Sequence, residues 1–578
     1  TTTQVEFDGT IYKFGQVTAE TDTVTIKSTD TDEAIDFTAG AAVTITGVGQ
    51  DIAGLNTTAG PAITFDTGTI MLANTTDLTI NSGGGAITIK GIRGTSSETV
   101  TLNANKSAGT ASATETISIG ADGIGSADQI GATGLAGDDG ITLAGSIVLA
   151  DSAGADLTIS DALYISGDVT LETDNTTNDG TITISSTIDG VSGGAADDLI
   201  IKAGDNDGDA TPGGSLTLSG VIGGSQALTT LDINQSAGNI SFTVPGVGSG
   251  GNAGVTGATR IGNAASGDII FSGANANAYN FGGALTVTSN GGAGAFQFTG
   301  ADPTLTAGGA VTFTEGNGTD DTLVLADLKD LTITTASANA NITLPNIDGT
   351  AGDGNDGTDL TLLAGTGNVS VKSIDNDIND LRIDGTTITL TGDITTAATT
   401  IGGVADPASI DINGAAVIGA GITLTSGNGT VDFSGAVNSD NGENRALTIV
   451  SGSGAAAING TVGATDALGN LTINAAGTGA ITLSTVGADA AAGAAVMAIG
   501  NADTATLTLS GVDYHSAANA QTYTADAFLI TGTDPTFTTA NAAIKFVDGA
   551  SSDIVLSDAA DLTIRTSNCL LYTSDAAD

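Results

Sequence analysis

The sequence at residues 216–233 is LTLSGVIGGSQALTTLDI, and at residues 456–473 it is AAINGTVGATDALGNLTI. In both stretches apolar residues alternate with small polar ones, which is typical of short β-strands with one buried face. Glycines at equivalent places predict the turns between the strands, and these are Gly220, Gly223, Gly460 and Gly463. The two stretches therefore indicate an all-β fold built from repeated short strands.

The match between the two copies extends along the chain, as expected for a duplicated sequence. Two further motifs recur, Ile-Gly-Asn and Asp-Pro-Thr. Their copies lie at 261–263 and 499–501, and at 302–304 and 534–536. From these matches we predict a partial repeat at 1–80, a first long repeat at 81–333 and a second long repeat at 334–566.

A shorter period of roughly 24 residues runs inside the long repeats, since Phe433, Ile458 and Ile481 occupy equivalent places. Coils of this length, with two or three short strands each, are typical of a parallel β-helix, or β-solenoid, whose coils stack about 4.8 Å apart. The competing architecture is a string of immunoglobulin-like sandwiches. We disfavour it because the chain has no Trp to supply the buried aromatic residue of that fold.

The alternation also assigns residues to the core and to loops. Leu218, Ile233, Ile458 and Ile473 should be buried at equivalent positions, because they match across the copies. The Ala-rich segment 489–499 has helical propensity, but its counterpart at 249–261 is rich in Gly. We therefore expect loops at both places.

Composition and charge indicate the kind of core and exclude one class of partner. The chain is 40% hydrophobic but only 3% aromatic, and such a composition suits a thin, regular core. Thirteen Lys and Arg residues oppose 64 Asp and Glu residues, which gives a net charge of −51. A uniformly negative surface repels phosphate backbones, so we predict no nucleic-acid partner.

The two ends of the chain differ from the repeats. The N-terminal residues show neither the basic nor the apolar region of a signal peptide, and no apolar run in the sequence is long enough to cross a membrane. We therefore expect no membrane insertion in this segment. Residues 567–578 break the repeat pattern, and we interpret them as a non-native tail, such as read-through at the end of a metagenomic fragment would encode. This tail should make no coil and contact nothing, and Cys569 would be foreign to the protein.

The strand repeats of residues 216–233 resemble those of filamentous-haemagglutinin-type exoproteins and autotransporter passengers. The resemblance covers most of residues 20–566 and concerns the style of the repeat. It implies a right-handed β-helix that is secreted or displayed on a bacterial cell surface.

Catalytic chemistry is not indicated. His515, the single histidine, lies in Asp-Tyr-His-Ser, and its counterpart at 273–275 lacks a histidine, so we expect a solvent-facing loop residue. Solenoid polysaccharide lyases and hydrolases need carboxylates clustered with basic residues, whereas the cations here are isolated: Lys202, Arg260, Arg382 and Arg445. We predict no enzyme, and no catalytic, cofactor-binding or metal-binding residues.

Calcium is the chemical alternative. Residues 351–360, AGDGNDGTDL, partly resemble the nonapeptide that binds Ca²⁺ between solenoid turns. Asp205, Asp207 and Asp209 place carboxylates at alternate positions, and such hard oxygen ligands suit Ca²⁺. Nonapeptide sites come in tandem, however, and each of these stretches occurs once. We favour ordinary Asp-rich turns and keep calcium as the alternative.

These observations predict a structural or adhesive extracellular protein, secreted or at the cell surface, that forms the stalk of a large bacterial adhesin. Its partners would be another copy of itself or a cell-surface or polysaccharide ligand. A surface-layer or sheath subunit stabilised by calcium is the alternative. A polysaccharide-acting β-helix enzyme is the remote one.

Overall fold

The computed structural model describes the chain in segments. They are 5–7, 11–15, 23–26, 35–37, 43–48, 62–65, 68–73, 76–95, 98–105, 115–125, 130–137, 140–149, 155–173, 180–191, 197–204, 214–235, 238–243, 246–249, 251–273, 278–290, 295–300, 302–316, 322–326, 329–350, 357–375, 377–401, 404–473, 478–488, 491–517, 519–548, 554–557, 561–566 and 569–571.

The chain folds into two compact units. Unit 1 comprises Thr1–Ala301, Leu305–Ala307 and Thr314–Asp321, and unit 2 comprises Asp302–Thr304, Gly308–Phe313 and Thr322–Asp578. In the described segments both units consist of strands and contain no helix. Among the described residues, no helix is long and apolar enough to span a membrane.

The strands of unit 1 are β1 (Val5–Phe7), β2 (Ile11–Gly15), β3 (Thr23–Ile26), β4 (Ile35–Phe37), β5 (Val43–Val48), β6 (Ala62–Phe65), β7 (Ile70–Leu72), β8 (Leu78–Asn81), β9 (Ile87–Arg93), β10 (Glu98–Asn103), β11 (Thr116–Ile124), β12 (Ile130–Ala136), β13 (Gly140–Leu143), β14 (Ile147–Val148), β15 (Leu157–Ile159), β16 (Leu163–Ile165), β17 (Val169–Glu172), β18 (Ile182–Ile184), β19 (Ile188–Gly190), β20 (Asp198–Lys202), β21 (Leu216–Leu218), β22 (Thr230–Gln235), β23 (Ile240–Phe242), β24 (Gly246–Val247), β25 (Thr259–Ile261), β26 (Ile269–Phe271), β27 (Ala278–Phe281), β28 (Leu285–Ser289) and β29 (Phe296–Phe298). Two strands contain residues of both units, β30 (Thr304–Ala307) and β31 (Val311–Glu315).

The strands of unit 2 are β32 (Thr322–Leu325), β33 (Leu331–Thr334), β34 (Ile342–Leu344), β35 (Asn346–Gly349), β36 (Thr358–Leu363), β37 (Val369–Val371), β38 (Ile374–Asp375), β39 (Ile378–Leu390), β40 (Ile394–Thr395), β41 (Thr399–Ile401), β42 (Val404–Asp406), β43 (Ala408–Ile418), β44 (Ile422–Thr425), β45 (Asn428–Phe433), β46 (Val437–Ser439), β47 (Leu447–Val450), β48 (Ala456–Ile458), β49 (Leu468–Ile473), β50 (Ile481–Leu483), β51 (Ala494–Ile499), β52 (Leu507–Leu509), β53 (Asp513–Ser516), β54 (Gln521–Ala525), β55 (Phe528–Ile530), β56 (Thr536–Thr539), β57 (Ile544–Asp548), β58 (Ile554–Leu556), β59 (Thr563–Thr566) and β60 (Cys569–Leu571).

Unit 1 is a solenoid whose coils carry three strands, one in each of three stacks. Strands β15, β16 and β17 form one coil, and β18, β19 and β20 form the next. Each strand pairs in parallel with its counterpart, β15 with β18, β16 with β19 and β17 with β20. Partners such as Ile141 and Leu163 lie 22 residues apart in sequence. The predicted parallel β-helix is therefore confirmed.

Unit 2 repeats this architecture. Strands β44, β47 and β49 pair in parallel in one stack, and β45, β48 and β50 pair in parallel in another. Ile458 lies opposite Leu483, 25 residues further along the chain. Parallel pairing places the same face of successive strands toward the inside, so the apolar positions of the coils stack into a continuous core.

The predicted core residues are buried. Leu218, Ile233, Ile458 and Ile473 are each at most 1% exposed. Full burial of such a side chain contributes about 1.5–3 kcal/mol. The strand-to-strand alternation thus assigned the inward face correctly, and the prediction is confirmed.

The matched glycines make the same turn in both units. Gly223 and Gly463 have φ values of 65° and 63°, in the left-handed region that favours glycine. The Gly223 N–H donates to the Ile188 carbonyl at 2.6 Å, and the Gly463 N–H donates to the Val437 carbonyl at 2.7 Å. The similarity of sequence at these positions is therefore a similarity of backbone structure.

The prediction of loops at 249–261 and 489–499 is wrong at the C-terminal side of each segment. Residues Ala494–Ile499 form β51, which pairs in parallel with β49, and Thr259–Ile261 form β25. Backbone hydrogen bonds to the neighbouring coil outweigh the helical propensity of alanine, because propensity contributes only a few tenths of a kcal/mol per residue. Residues 489–490 lie outside the described residues.

The expectation that the C-terminal tail contacts nothing is also wrong. Cys569–Leu571 pairs with β59 in an antiparallel arrangement, with Cys569 opposite Thr566. An edge strand offers unpaired N–H and C=O groups, and any adjacent extended segment can satisfy them. The remaining residues after 566 lie outside the described residues, and the repeat boundaries stay predictions.

Candidate functional site

The outward faces of the coils carry short polar side chains and ion pairs between neighbouring coils. Lys202 contacts Glu172 at 3.3 Å, and Arg260 contacts Asp232 at 3.4 Å, in each case across directly opposed positions of adjacent strands. The other predicted cations are paired locally, Arg382 with Asp384 and Arg445 with Asp440. Each of the four cations is thus paired with an acidic neighbour.

A row of aspartates links successive coils in unit 2. Each carboxylate accepts a hydrogen bond from a backbone N–H one coil further along the chain. The bonds run from the Asp330 N–H to Asp302 (3.3 Å), from the Asp359 N–H to Asp330 (3.0 Å), from the Asp380 N–H to Asp359 (3.0 Å) and from the Ser409 N–H to Asp380 (2.8 Å). This arrangement, called the aspartate row below, adds side-chain bonds to the strand pairing.

Within the aspartate row, Asp359 is a carboxyl whose pKa is shifted. Burial raises the pKa of the Asp359 carboxyl to about 6, and the charges of Asp330, Asp380 and Asp406 act in the same direction. The hydrogen bond from the Asp380 N–H lowers the pKa but does not offset these effects. Asp359 therefore titrates close to neutral pH.

Beside the row lies an acidic groove. It is a cavity of about 470 Å³ whose charged lining residues are Asp359, Asp380, Arg382, Asp411 and Asp432. Burial, and then the neighbouring Asp411 charge, raise the pKa of Asp432. The Arg382 guanidinium is bound to Asp384 at 2.8 Å, and this hydrogen bond raises its pKa. The groove therefore keeps an excess of negative charge that favours cations.

The structure does not test the predicted calcium positions. Asp353 and Asp356 lie outside the described residues, as do Asp205, Asp207 and Asp209. Among the residues that the structure describes, no group of three or more His, Cys, Asp or Glu side chains is arranged to hold a metal ion. Calcium therefore stays a prediction for the Asp-rich turns.

His515 lies in strand β53, half-buried on the outward face between the buried Tyr514 and Ser516, so the expectation of a loop is wrong. Its carbonyl accepts a hydrogen bond from the Gly493 N–H at 3.0 Å, and in unit 1 the Gly254 N–H donates to Asn280 at 2.9 Å. Asn280 is therefore its counterpart, and not residues 273–275. The first copy has four more residues between these two points, which shifts the alignment.

Comparisons with known proteins identify no relative. No protein-family model, no curated protein and no solved structure matches this chain. The solenoid fold is therefore established by the strand pairing itself.

Sequence reasoning missed the aspartate row, although a signal for it is present. The tripeptide Asp-Leu-Thr occurs repeatedly, at 77–79, 156–158, 330–332, 359–361 and 561–563. In each of the first four copies the aspartate accepts a backbone N–H from the next coil, as Asp77 does from Thr99 and Asp156 from Thr181. An aspartate immediately before an apolar-Thr-apolar strand marks this corner bond.

Proposed function

We propose that this protein is a structural and adhesive repeat protein of the bacterial cell exterior, without catalytic activity, that serves as the stalk of a surface or secreted adhesin. The observation that carries the proposal is the parallel pairing of all three strands of a coil with those of the next. A β-solenoid of this kind is compatible with a structural repeat protein.

Two physical properties support a stalk. In a solenoid each coil contacts only its neighbours, so stability is spread over many equivalent interfaces, and additional coils add length. The outward side chains are short, and the chain has a net charge of −51. Repulsion between like charges discourages exposed strands from pairing with those of another molecule. Bonds such as those of the aspartate row reinforce the contacts between coils in unit 2.

The proposal is tested by placing the full chain between a membrane anchor and a fluorescent reporter on a bacterial surface. The reporter should stand further from the membrane than a reporter joined by the same anchor alone, and the cells should adhere more strongly to a polysaccharide-coated surface. No added distance would contradict the stalk role, whereas added distance without adhesion would contradict only the adhesive role.

The alternative is a surface-layer or sheath subunit stabilised by calcium, and its supporting observation is the net charge of −51. It predicts ordered sheets in electron micrographs and a higher melting temperature in Ca²⁺ than in Mg²⁺ at matched ionic strength. A site with a Kd of about 10 µM would contribute roughly 2.7 kcal/mol at about 1 mM Ca²⁺. Identical melting curves and no sheets would eliminate this alternative.

A further inference from the structure

A second groove lies on the outer face of unit 1, on the stack formed by β13, β16 and β19. Thr142, Tyr164 and Asp189 are directly opposed in these three consecutive strands. Tyr164 lies between the buried Leu163 and Ile165, so its ring points outward. The groove is a cavity of about 410 Å³, and these three residues line it together with Val191, Ser225 and Gln226. It is called the Tyr164 groove below.

One wall of the Tyr164 groove is a turn held by a buried carboxylate. Asp189 is only 3% exposed, and its Oδ1 accepts hydrogen bonds from the Ser225 N–H at 2.8 Å and the Gln226 N–H at 3.2 Å. The Gly190 N–H donates in turn to the Gln226 carbonyl at 2.9 Å. The backbone of Ser225 and Gln226 is therefore fixed, while both side chains stay exposed at the groove.

A second buried carboxylate holds the neighbouring segment. Asp197 is 5% exposed and accepts hydrogen bonds from the Gly167 N–H and the Val191 N–H, both at 3.0 Å. Two carboxylates at one groove are thus hydrogen-bonded to backbone donors and support the walls. Burying them is favourable only because these bonds satisfy their charge. The walls of the groove are therefore held in place without a ligand.

The lining chemistry identifies a class of ligand. It combines the ring of Tyr164 and the uncharged polar groups of Thr142, Ser225 and Gln226 with the Asp189 carboxylate, which is 3% exposed and already hydrogen-bonded to the turn, and none of the described residues that line it is Lys or Arg. Small-molecule sites combine apolar surface with a few fixed polar groups in cavities of about 300–1,000 Å³. An aromatic face suits the C–H face of a sugar ring, and hydroxyl and amide groups suit its hydroxyls. A net charge of −51 opposes acidic ligands.

We infer that the Tyr164 groove binds a neutral saccharide, which stacks on Tyr164 and hydrogen-bonds to Gln226 and Ser225. The inference rests on the proposed adhesive function and names the class of ligand for it.

Unit 2 contains the same scaffold without the groove chemistry. There Asn438 accepts hydrogen bonds from the Thr465 N–H at 3.0 Å and the Asp466 N–H at 3.4 Å, as Asp189 does in unit 1. The residue opposite Asn438 in the preceding strand is Val417, in the place of Tyr164. Asp466 stands in the place of Gln226. Unit 2 therefore provides an internal control, and Tyr164→Val places in the first site the residue that unit 2 has at that one position.

The experiment measures binding of the full chain to an array of neutral oligosaccharides, including glucans, mannans, galactans and chitin fragments. Heparin fragments, sialylated glycans and proline-rich peptides form the other arms. For the best neutral ligand, Tyr164→Val should weaken binding about fivefold, which corresponds to the roughly 1 kcal/mol that an aromatic contact contributes. Gln226→Ala should also weaken binding, Tyr164→Phe should lose less than Tyr164→Val, and the control Val417→Ala should change nothing. Circular dichroism melting of each variant checks its fold.

A chain that binds no neutral saccharide, or that binds only an acidic glycan or a peptide, overturns the inference. Neutral-saccharide binding that is unchanged by both Tyr164→Val and Gln226→Ala overturns it as well. The stalk role is tested separately by the distance of the reporter from the membrane, which requires no ligand. Added distance without saccharide binding therefore overturns this inference and leaves the stalk role standing.

Discussion

The turn at 223–226 in unit 1 and the turn at 463–466 in unit 2 have the same backbone and different side chains. In unit 1 the Leu228 N–H donates to the Gly254 carbonyl at 2.9 Å, and in unit 2 the Leu468 N–H donates to the Gly493 carbonyl at 2.9 Å. In contrast, the outward residues differ, with Tyr164 near the first turn and Val417 near the second.

This difference separates two roles of the sequence. Glycines and inward apolar residues determine the coil, and they match in the two copies because the backbone leaves little freedom there. Outward residues meet solvent and can vary without disturbing the stack. Binding chemistry is therefore to be sought among outward residues that differ between the copies.

The largest expected effect follows from placing a charge in the core. Leu218→Asp in unit 1 and Ile458→Asp in unit 2 should each destabilise the chain by about 4 kcal/mol or more, because an unpaired carboxylate would be buried. Urea unfolding of the two variants measures the loss. The outward-facing control, Thr217→Asp, lies opposite the uncharged Thr183 and Ser241 and should cost about 0.5 kcal/mol or less. A large loss in the control would show that the inward and outward faces are assigned incorrectly.

Adding a methyl group to the turn glycine should destabilise the two matched turns equally. Gly223→Ala and Gly463→Ala should each cost about 3 kcal/mol, since φ is positive and the added Cβ overlaps the carbonyl oxygen of Gly254 or Gly493. Gly251→Ala is the control. Its φ is 86°, but no atom lies within 4 Å of the added Cβ, so only about 1 kcal/mol should be lost. Unequal losses in urea unfolding at 223 and 463 would contradict the equivalence of the turns.

Removing the side chain that accepts the hydrogen bonds of the turn should destabilise unit 1 more than unit 2. Asp189→Ala leaves two backbone N–H groups without their charged acceptor and should cost about 2 kcal/mol, whereas Asn438→Ala should cost about 1 kcal/mol. Asp189→Asn copies unit 2 and should cost less than Asp189→Ala. Thermal melting ranks the three variants. If Asp189→Asn is as damaging as Asp189→Ala, the two turns are not held in the same way.

The smallest effect concerns pH and the aspartate row. The pKa of Asp359 is about 6 in the folded chain and about 3.9 in an unfolded one, so the folded state binds the extra proton between these values. Stability from this group is therefore greatest below about pH 4 and falls as pH rises through 6. Asp359→Asn, which keeps an acceptor for the Asp380 N–H, should stabilise the chain by about 1 kcal/mol at pH 7.5 after allowance for solvent screening, and not at pH 4.

Asp534 supplies the matched control for this measurement. Its carboxylate accepts the Asp561 N–H at 3.1 Å, and Asp534 has a positive φ of 47°, as Asp302 does at 38°. Asp534→Asn tests the replacement of an acid by an amide in the same kind of corner bond. A gain in stability of equal size and equal pH dependence in both variants would show that the effect is not specific to Asp359.

The sequence by itself determined the fold class, the inward residues and the equivalence of the two copies. Local alternation and paired glycines carry this information, since burial of one face and a left-handed turn are requirements of single positions. The same reasoning failed at 489–499 and at Cys569–Leu571, where pairing with another segment decides the structure.

Only the tertiary structure decided which distant residues become neighbours. Tyr164, Asp189 and Gln226 lie far apart in sequence, and the lengths of the intervening coils bring them to one groove. The aspartate row likewise depends on which residue follows one coil later, as Asp380 follows Asp359. The length of a coil depends on loops whose sequences show no periodic pattern. Packing and strand pairing therefore decide the register between coils. The same register decides which residues form each binding surface.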